Sequence, residues 1–396
     1  MSIIGRERFH MRNSSELILT RFVMSFSLGL FIVATSLYLR DAGLSDSWIG
    51  IAGSIAGLLV IALSPVVPVL LEKFNGLTIF KLGMAVMATI MLAMGLSSHL
   101  AVALLAFTVH RLALSVTISA ASISVRDSSG SKELEKIQGL ASSLMNFGWV
   151  VGPLLGGLAL AVYGLSNTFF ISAAVMLIGA SILVMSPLKA KPKIRAKIDS
   201  SWIENVRFYF SRPGLVAAYV FRGGITAWMT FLFTFIPLFM VNEGYSLQAV
   251  GMALALTQLP LFLMEFKTVD LIIRLNSRRL FIYGFSLMAA FQFAFFTTDN
   301  LLFTIIGFIV SSVLALSILE PLVEIYFYKQ VKPLEEEKAY PVFSTAEWAG
   351  SLSIKLLTGL SIGLFGTRSS FLVLAMVMSM AALFAIFTAP RADKTA

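Results

Sequence analysis

Apolar residues run along this chain in blocks long enough to cross a bilayer, and short polar segments separate them. The blocks cover about 15–39, 47–71, 77–98, 100–125, 137–162 and 167–186, then 214–241, 247–272, 280–297, 301–327, 339–363 and 369–389. Each approaches the ~20 residues that an α-helix needs to span the hydrocarbon core. The pattern therefore predicts an all-α membrane protein with twelve transmembrane helices. Alternating segments of the kind found in membrane barrels are missing. Composition agrees: 58% of the 396 residues are hydrophobic and 13% charged, against about 25% charged in a soluble protein. A polar, basic start followed by a long first apolar block predicts a retained span rather than a cleaved signal.

The two sets of six are related. At an offset of 201 positions Arg21 falls on Arg222, Gly43 on Gly244, Ser45 on Ser246, Gly50 on Gly251, Lys73 on Arg274, Asn75 on Asn276 and Gly83 on Gly284. One further residue of slip, expected in a loop, overlays 112–115 on 314–317, both Leu-Ala-Leu-Ser. It also brings Gly148, Gly157, Gly164 and Phe169 onto Gly350, Gly359, Gly366 and Phe371. A constant offset held by glycines and charges predicts two pseudo-symmetric six-helix bundles, 1–187 and 213–396, joined by a cytoplasmic linker at 188–212. In a membrane, such a repeat is the architecture of a secondary transporter with its substrate site between the halves.

Basic residues collect in alternate loops: Arg6, Arg8 and Arg12, then Lys73 and Lys81, then Arg126, Lys132 and Lys136, the linker, Arg274, Arg278 and Arg279, and later Lys329, Lys332, Lys338, Arg391 and Lys394. The opposite loops carry only Arg40 and Arg368. The positive-inside rule puts both termini and the linker in the cytoplasm of a cell-membrane protein. Within the linker, Lys189, Lys191, Lys193, Arg195 and Lys197 read as a tether near anionic headgroups, and Trp202 to Phe210 as a short interfacial helix.

This distribution also removes nucleic acid as a partner despite a net charge of +9. Cysteine is absent, and His10, His99 and His110 are too scattered for a metal site. No metal-binding His/Glu spacing, nucleophile elbow or phosphate-binding loop occurs, which argues against an enzyme and against an ATP-driven pump. The expected energy source is an ion gradient, with no cofactor; the expected partners are a small-molecule substrate and the bilayer, around a monomer.

Span five contains Gly148-Trp149-Val150-Val151-Gly152-Pro153-Leu154-Leu155-Gly156-Gly157. Here a spacing that permits close helix contact is fused to a helix-bending proline. That makes a thin, bendable helix suited to an interface that opens and shuts, with Gly148, Gly152, Pro153, Gly156 and Gly157 as gating candidates. The run resembles the fifth-helix signature of the major facilitator superfamily, particularly its drug/proton antiporter branches. Arg111 stands where such antiporters carry an intramembrane arginine, without the glycine that usually follows. The loop Glu72-Lys73-Phe74-Asn75-Gly76 is similar to the family's acidic-basic loop, with Pro68 in place of its leading glycine and Arg274 as second-half counterpart. The resemblance implies the major facilitator fold and alternating access.

Ionisable residues inside the bilayer are costly, and so are functional candidates. Arg111 lies near the midplane, with His110 on a neighbouring face, and Lys355 in the outer half of span eleven. Arg222, Glu265, Lys267, Glu320 and Glu347 fall in the cytoplasmic third of the second half and predict a salt-bridge network there. Arg21 is expected to snorkel to headgroups, and Glu324 to play a structural part near the interface. The leading reading is proton-coupled efflux of an amphipathic organic solute, with Glu265, Glu320 and Glu347 as proton carriers. The alternatives are symport or exchange of an anionic metabolite or lipid headgroup, suggested by Arg111 and Lys355, and a lipid scramblase.

Overall fold

A computed structural model describes residues 3–128, 134–186, 202–264, 277–298, 301–332 and 335–388. Every regular element among them is a helix. Ten of these helices are long and apolar enough to cross a membrane. One of the ten, Leu140–Met185, is two spans: at Gly164 φ is +78° and ψ −179°, a conformation that ends the first helix and suits only glycine. Leu247–Leu259 is the described apolar part of span eight. The count is then twelve, and the chain is a multi-pass membrane protein. The second block, predicted as one run, is Asp46–Leu63 followed by Val66–Lys73. Pro65, which brings no N–H to the ladder, lies at the break.

The sequence repeat recurs as repeated contacts. Tyr38 and Phe169 meet edge-on with centroids 5.0 Å apart, and Phe239 and Phe371, at the shifted positions, do so at 4.8 Å. Ser45 Oγ accepts from the Trp48 amide at the start of span two, as Ser246 Oγ does from the Ala249 amide at span eight. Gly83 is pressed against Thr117, and Gly284 against Leu319. Gly366 repeats the turn of Gly164, with φ +83°.

The one-residue slip is not in a loop. Spans three and four begin at Gly76 and Leu100, and spans nine and ten at Ser277 and Leu301, still 201 apart. By Leu319, the counterpart of Thr117, the offset is 202. Between these points span ten contains a π-helix, Val313–Leu319, whereas residues 111–117 of span four are ordinary α-helix. A π-turn is how a helix accommodates one extra residue without breaking. It closes directly before Glu320.

By contact density the chain forms two compact units that cut across its halves. One comprises Met1–Leu44, Ala62–Ala196 and Met240–Ala255, the other Ser45–Ile61, Lys197–Phe239 and Leu256–Ala396. The first is built on span one, which packs most extensively against the Leu134–Met185 pair. The second is built on an aromatic core that includes Phe221, Trp228, Phe231, Phe281, Phe285 and Phe371, all fully buried or nearly so. Span two and the start of span eight join units formed mostly by the other half of the chain. The reason is close glycine packing, described below.

Candidate functional site

In the second unit, Arg222 on span seven (Pro213–Asn242) is surrounded by carboxylates. Its Nη1 lies 3.3 Å from Glu320 Oε1 and 3.5 Å from Glu324 Oε1, and its Nε donates to Glu347 Oε1 at 3.1 Å. Nη2 also pairs with Glu347. Glu320 and Glu324 are one turn apart on Glu320–Gln330, and Glu347 comes from Glu336–Phe365. The Arg222 side chain is only 13% exposed, whereas those of Glu320, Glu324 and Glu347 are 30%, 32% and 44% exposed. One guanidinium cannot neutralise three carboxylates. The excess negative charge makes the cluster a place that can take up a proton or a cation, with rearrangement of the pairs as the consequence. Glu324, expected to be interfacial, belongs to this cluster.

The first unit repeats the geometry without the acids. Arg21, counterpart of Arg222, is buried rather than snorkelling, and its Nη2 lies 3.5 Å from Met145 Sδ, the counterpart of Glu347. Further along, His110 is buried and stacked on Phe31, with centroids 4.2 Å apart. Arg111 turns another way and lies over the Phe107 ring at 5.4 Å. Among the described residues Arg111 makes no ion pair.

Two glycine seams complete the picture. A Cβ on Gly50 would lie 2.8 Å from Gly359 Cα, and one on Gly157 would lie 2.5 Å from Gly251 Cα. These are counterparts: Gly50 matches Gly251 and Gly359 matches Gly157. Spans two and eleven therefore touch backbone to backbone, as do spans five and eight. Ser47 Oγ donates to the Gly359 carbonyl at 2.7 Å, and Ser54 Oγ to that of Leu352 at 3.1 Å. Lys355, 2% exposed, lays its stem in the notch left by Gly53.

The glycine row of span five divides. Gly148, Gly152 and Gly156, spaced by four, face span one: a Cβ on Gly152 would meet Gly29 Cα at 2.7 Å, and one on Gly156 would meet Leu30 Cα at 3.0 Å. Pro153 Cδ packs on Gly29. Gly152 thus faces span one inside its own half, because a four-residue step keeps the row on one helix face, whereas the Pro153 carbonyl oxygen lies 2.8 Å from where a Cβ on Gly251 of span eight would stand. Gly157, one position on, turns toward span eight.

Glu265, Lys267 and Arg274 lie outside the described residues, as does the Glu72 side chain. Lys73 Nζ is 5.7 Å from the Phe74 ring centroid. The end of the linker is fastened: Arg212 bonds both oxygens of Glu335, at 2.8 and 2.9 Å. That pairing, with the Lys332 amide, holds the Glu335 carboxyl down to about 2. No three His, Asp or Glu side chains among the described residues are grouped to hold a metal.

Several proteins are similar to this chain. Quinolone resistance protein NorA of Staphylococcus aureus (strain MRSA252) is 22% identical over 59% of this chain and 60% of its own length. Multidrug resistance protein 2 of Bacillus subtilis (strain 168) is 24% identical over 40% of each. The chain thus matches about three fifths or less of these relatives' length. Among solved structures, a variant of the nucleoside transporter NupG superposes with TM-score 0.77 at 13% identity, covering 96% of this chain and 100% of that one. A D-xylose–proton symporter gives TM-score 0.75 at 13% identity over 95% of this chain and 98% of the other. A bacterial homologue of the lysosomal transporter Spinster gives 0.74 at 16% identity, over 96% and 95%. The family profile described as Major Facilitator Superfamily matches residues 17–266. With that match, a helical fold shared with solved transporters and a two-fold repeat visible in its contacts, the chain belongs to the Major Facilitator Superfamily of membrane transporters.

Proposed function

We propose that this transporter is a proton-coupled exporter of amphipathic organic solutes. The observation that carries the coupling is the Arg222 cluster, where three carboxylates share one guanidinium inside the membrane. Protonating Glu320 or Glu347 removes a pair from Arg222 and frees it to re-pair, which links proton binding to helix position. The choice of solute class rests on the names of the relatives, one a quinolone resistance protein and another a multidrug resistance protein. Residues 1–187 and 213–396 act as the two bundles of the repeat, and the glycine seams are the surfaces that part in alternating access. The termini face the cytoplasm of the cell membrane by the charge distribution of the loops, and the working unit is a monomer.

A second reading, exchange of an anionic solute, is favoured by Arg111, an intramembrane cation with no carboxylate partner among the described residues. Proteoliposomes with an imposed pH gradient separate the readings. Ethidium, an amphipathic cation, should accumulate on the acidic side, whereas gradient-independent exchange of organic anions without ethidium movement would favour the second. Lipid flipping with no gradient would instead identify a scramblase.

A further inference from the structure

We propose that the interior of the second unit holds a chain of buried water that delivers protons to Glu320, organised by the π-helix of span ten. The inference rests on the coupling role assigned to the Arg222 cluster. Its starting point is a group of buried polar atoms without hydrogen-bond partners: both amide atoms of Gln292, the hydroxyls of Ser311, Ser312 and Ser317, and the indole N–H of Trp228. All five side chains are fully buried or nearly so. An atom left in that state is destabilising, so a folded protein satisfies such groups with internal water.

Four of these side chains lie on spans nine and ten, and the fifth, Trp228, packs from span seven against span ten. Gly284 packs on Leu319, and Gly307 on Phe291 and Phe295, which fixes the antiparallel register of spans nine and ten. That register puts Gln292 level with Ser311. Trp228 stacks on Phe308, with centroids 5.3 Å apart, one turn before Ser311 and Ser312. Ser317 lies inside the π-helix, one turn before Glu320. The polar atoms therefore descend along span ten from mid-membrane to the carboxylate. Many other serine and threonine hydroxyls bond the carbonyl one turn back, as Thr117 does to Ala113 at 2.6 Å and Ser124 to Ala120 at 2.7 Å. These serines do not.

The first half supplies the contrast. Its span four lacks the extra residue and the π-turn, and the counterpart of Gln292 is Met91, whose sulfur receives the Ser27 hydroxyl. Among the described residues the first half has His110 Nε2 buried without a hydrogen-bond partner on span four, but no carboxylate beside it. A proton enters at the Gln292 level, each water passes one on to the next, and the last forms the O–H of Glu320. Glu320 then loses its charge pairing with Arg222, while Glu324 and Glu347 remain against that guanidinium.

The test is Gln292→Met, which installs the first-half residue, conserves volume and removes only the amide. Amide hydrogen exchange by mass spectrometry on the full chain reads hydration without any substrate. In the parent, residues 313–320 should exchange about tenfold faster than residues 111–117, and Gln292→Met should slow them by about fivefold while the rest of the protein exchanges as before. Gradient-driven ethidium accumulation should also drop about tenfold in that variant, with Ser312→Ala as an independent second lesion. Parental exchange over 313–320 in Gln292→Met, or parental ethidium accumulation in both variants, overturns the water path. If Glu320→Gln and Glu347→Gln both accumulate ethidium like the parent, it is the coupling reading that fails, and amide exchange still decides hydration by itself.

Discussion

Replacing Gly50 by alanine tests the seams most sharply, because the space it needs is filled by backbone. Its Cβ would lie 2.6 Å from the Lys355 carbonyl oxygen and 2.8 Å from Gly359 Cα. Neither atom can rotate away. Reaching ordinary contact, roughly 3.4 Å or more, requires spans two and eleven to part locally by about 0.6–0.8 Å. Overpacking of this kind costs about 1–3 kcal/mol, and the cost falls only on conformations in which the seam is closed. The closed population should therefore drop by about 5- to 150-fold relative to one in which the spans have separated. The chain has no cysteine, so spin labels attach only where placed. Trp48→Cys and Leu364→Cys put labels on exposed positions at the seam-proximal ends of spans two and eleven. Pulsed electron resonance should show a single short distance in the parent and a dominant longer one after Gly50→Ala. An unchanged distribution, with or without a lower melting temperature, would mean that the seam is static packing.

Other variants separate structural from mechanistic roles. Gly164→Ala meets nothing within 4 Å, yet φ of +78° penalises any side chain, so it should destabilise by about 1–3 kcal/mol through the backbone alone, read as a lower melting temperature. Gly152→Leu should reduce the yield of folded monomer by size-exclusion chromatography rather than lock a folded transporter, because its side chain collides with Gly29 inside one unit. For Glu335, the folded value of about 2 lies below the ordinary carboxylate value, so its stabilisation is complete above about pH 4.3 and disappears as pH falls through the folded value. Glu335→Gln should thus melt lower at neutral pH and show a flatter pH profile between about 5 and 2, and an unaltered profile would reject the Arg212 latch.

The span count, the repeat and the pairing of Arg222 with Glu320 and Glu347 were legible because each follows from one-dimensional periodicity. Length and hydropathy locate helices, and a constant offset locates equivalent residues. What the sequence concealed depends on which face a helix presents. Gly152 and Gly157 are five residues apart in one motif, but one meets span one and the other span eight. Arg21 and Arg222 share a repeat position, yet one is buried beside a thioether and the other inside an acid cluster, because Met145 stands where Glu347 does. The π-helix left only a one-residue change of offset, and nothing in that number distinguishes a longer loop from a wider helical turn.

The central claim is that protons drive transport through the Arg222 cluster. Its most direct measurement compares ethidium accumulation under an imposed pH gradient with ethidium exchange at equal pH, in proteoliposomes of the parent, Glu320→Gln and Glu347→Gln. At least one variant should lose accumulation while still exchanging ethidium down its own gradient, since only the link to the proton is cut. Accumulation at the parental level in both variants would contradict the claim and leave the cluster as a structural brace.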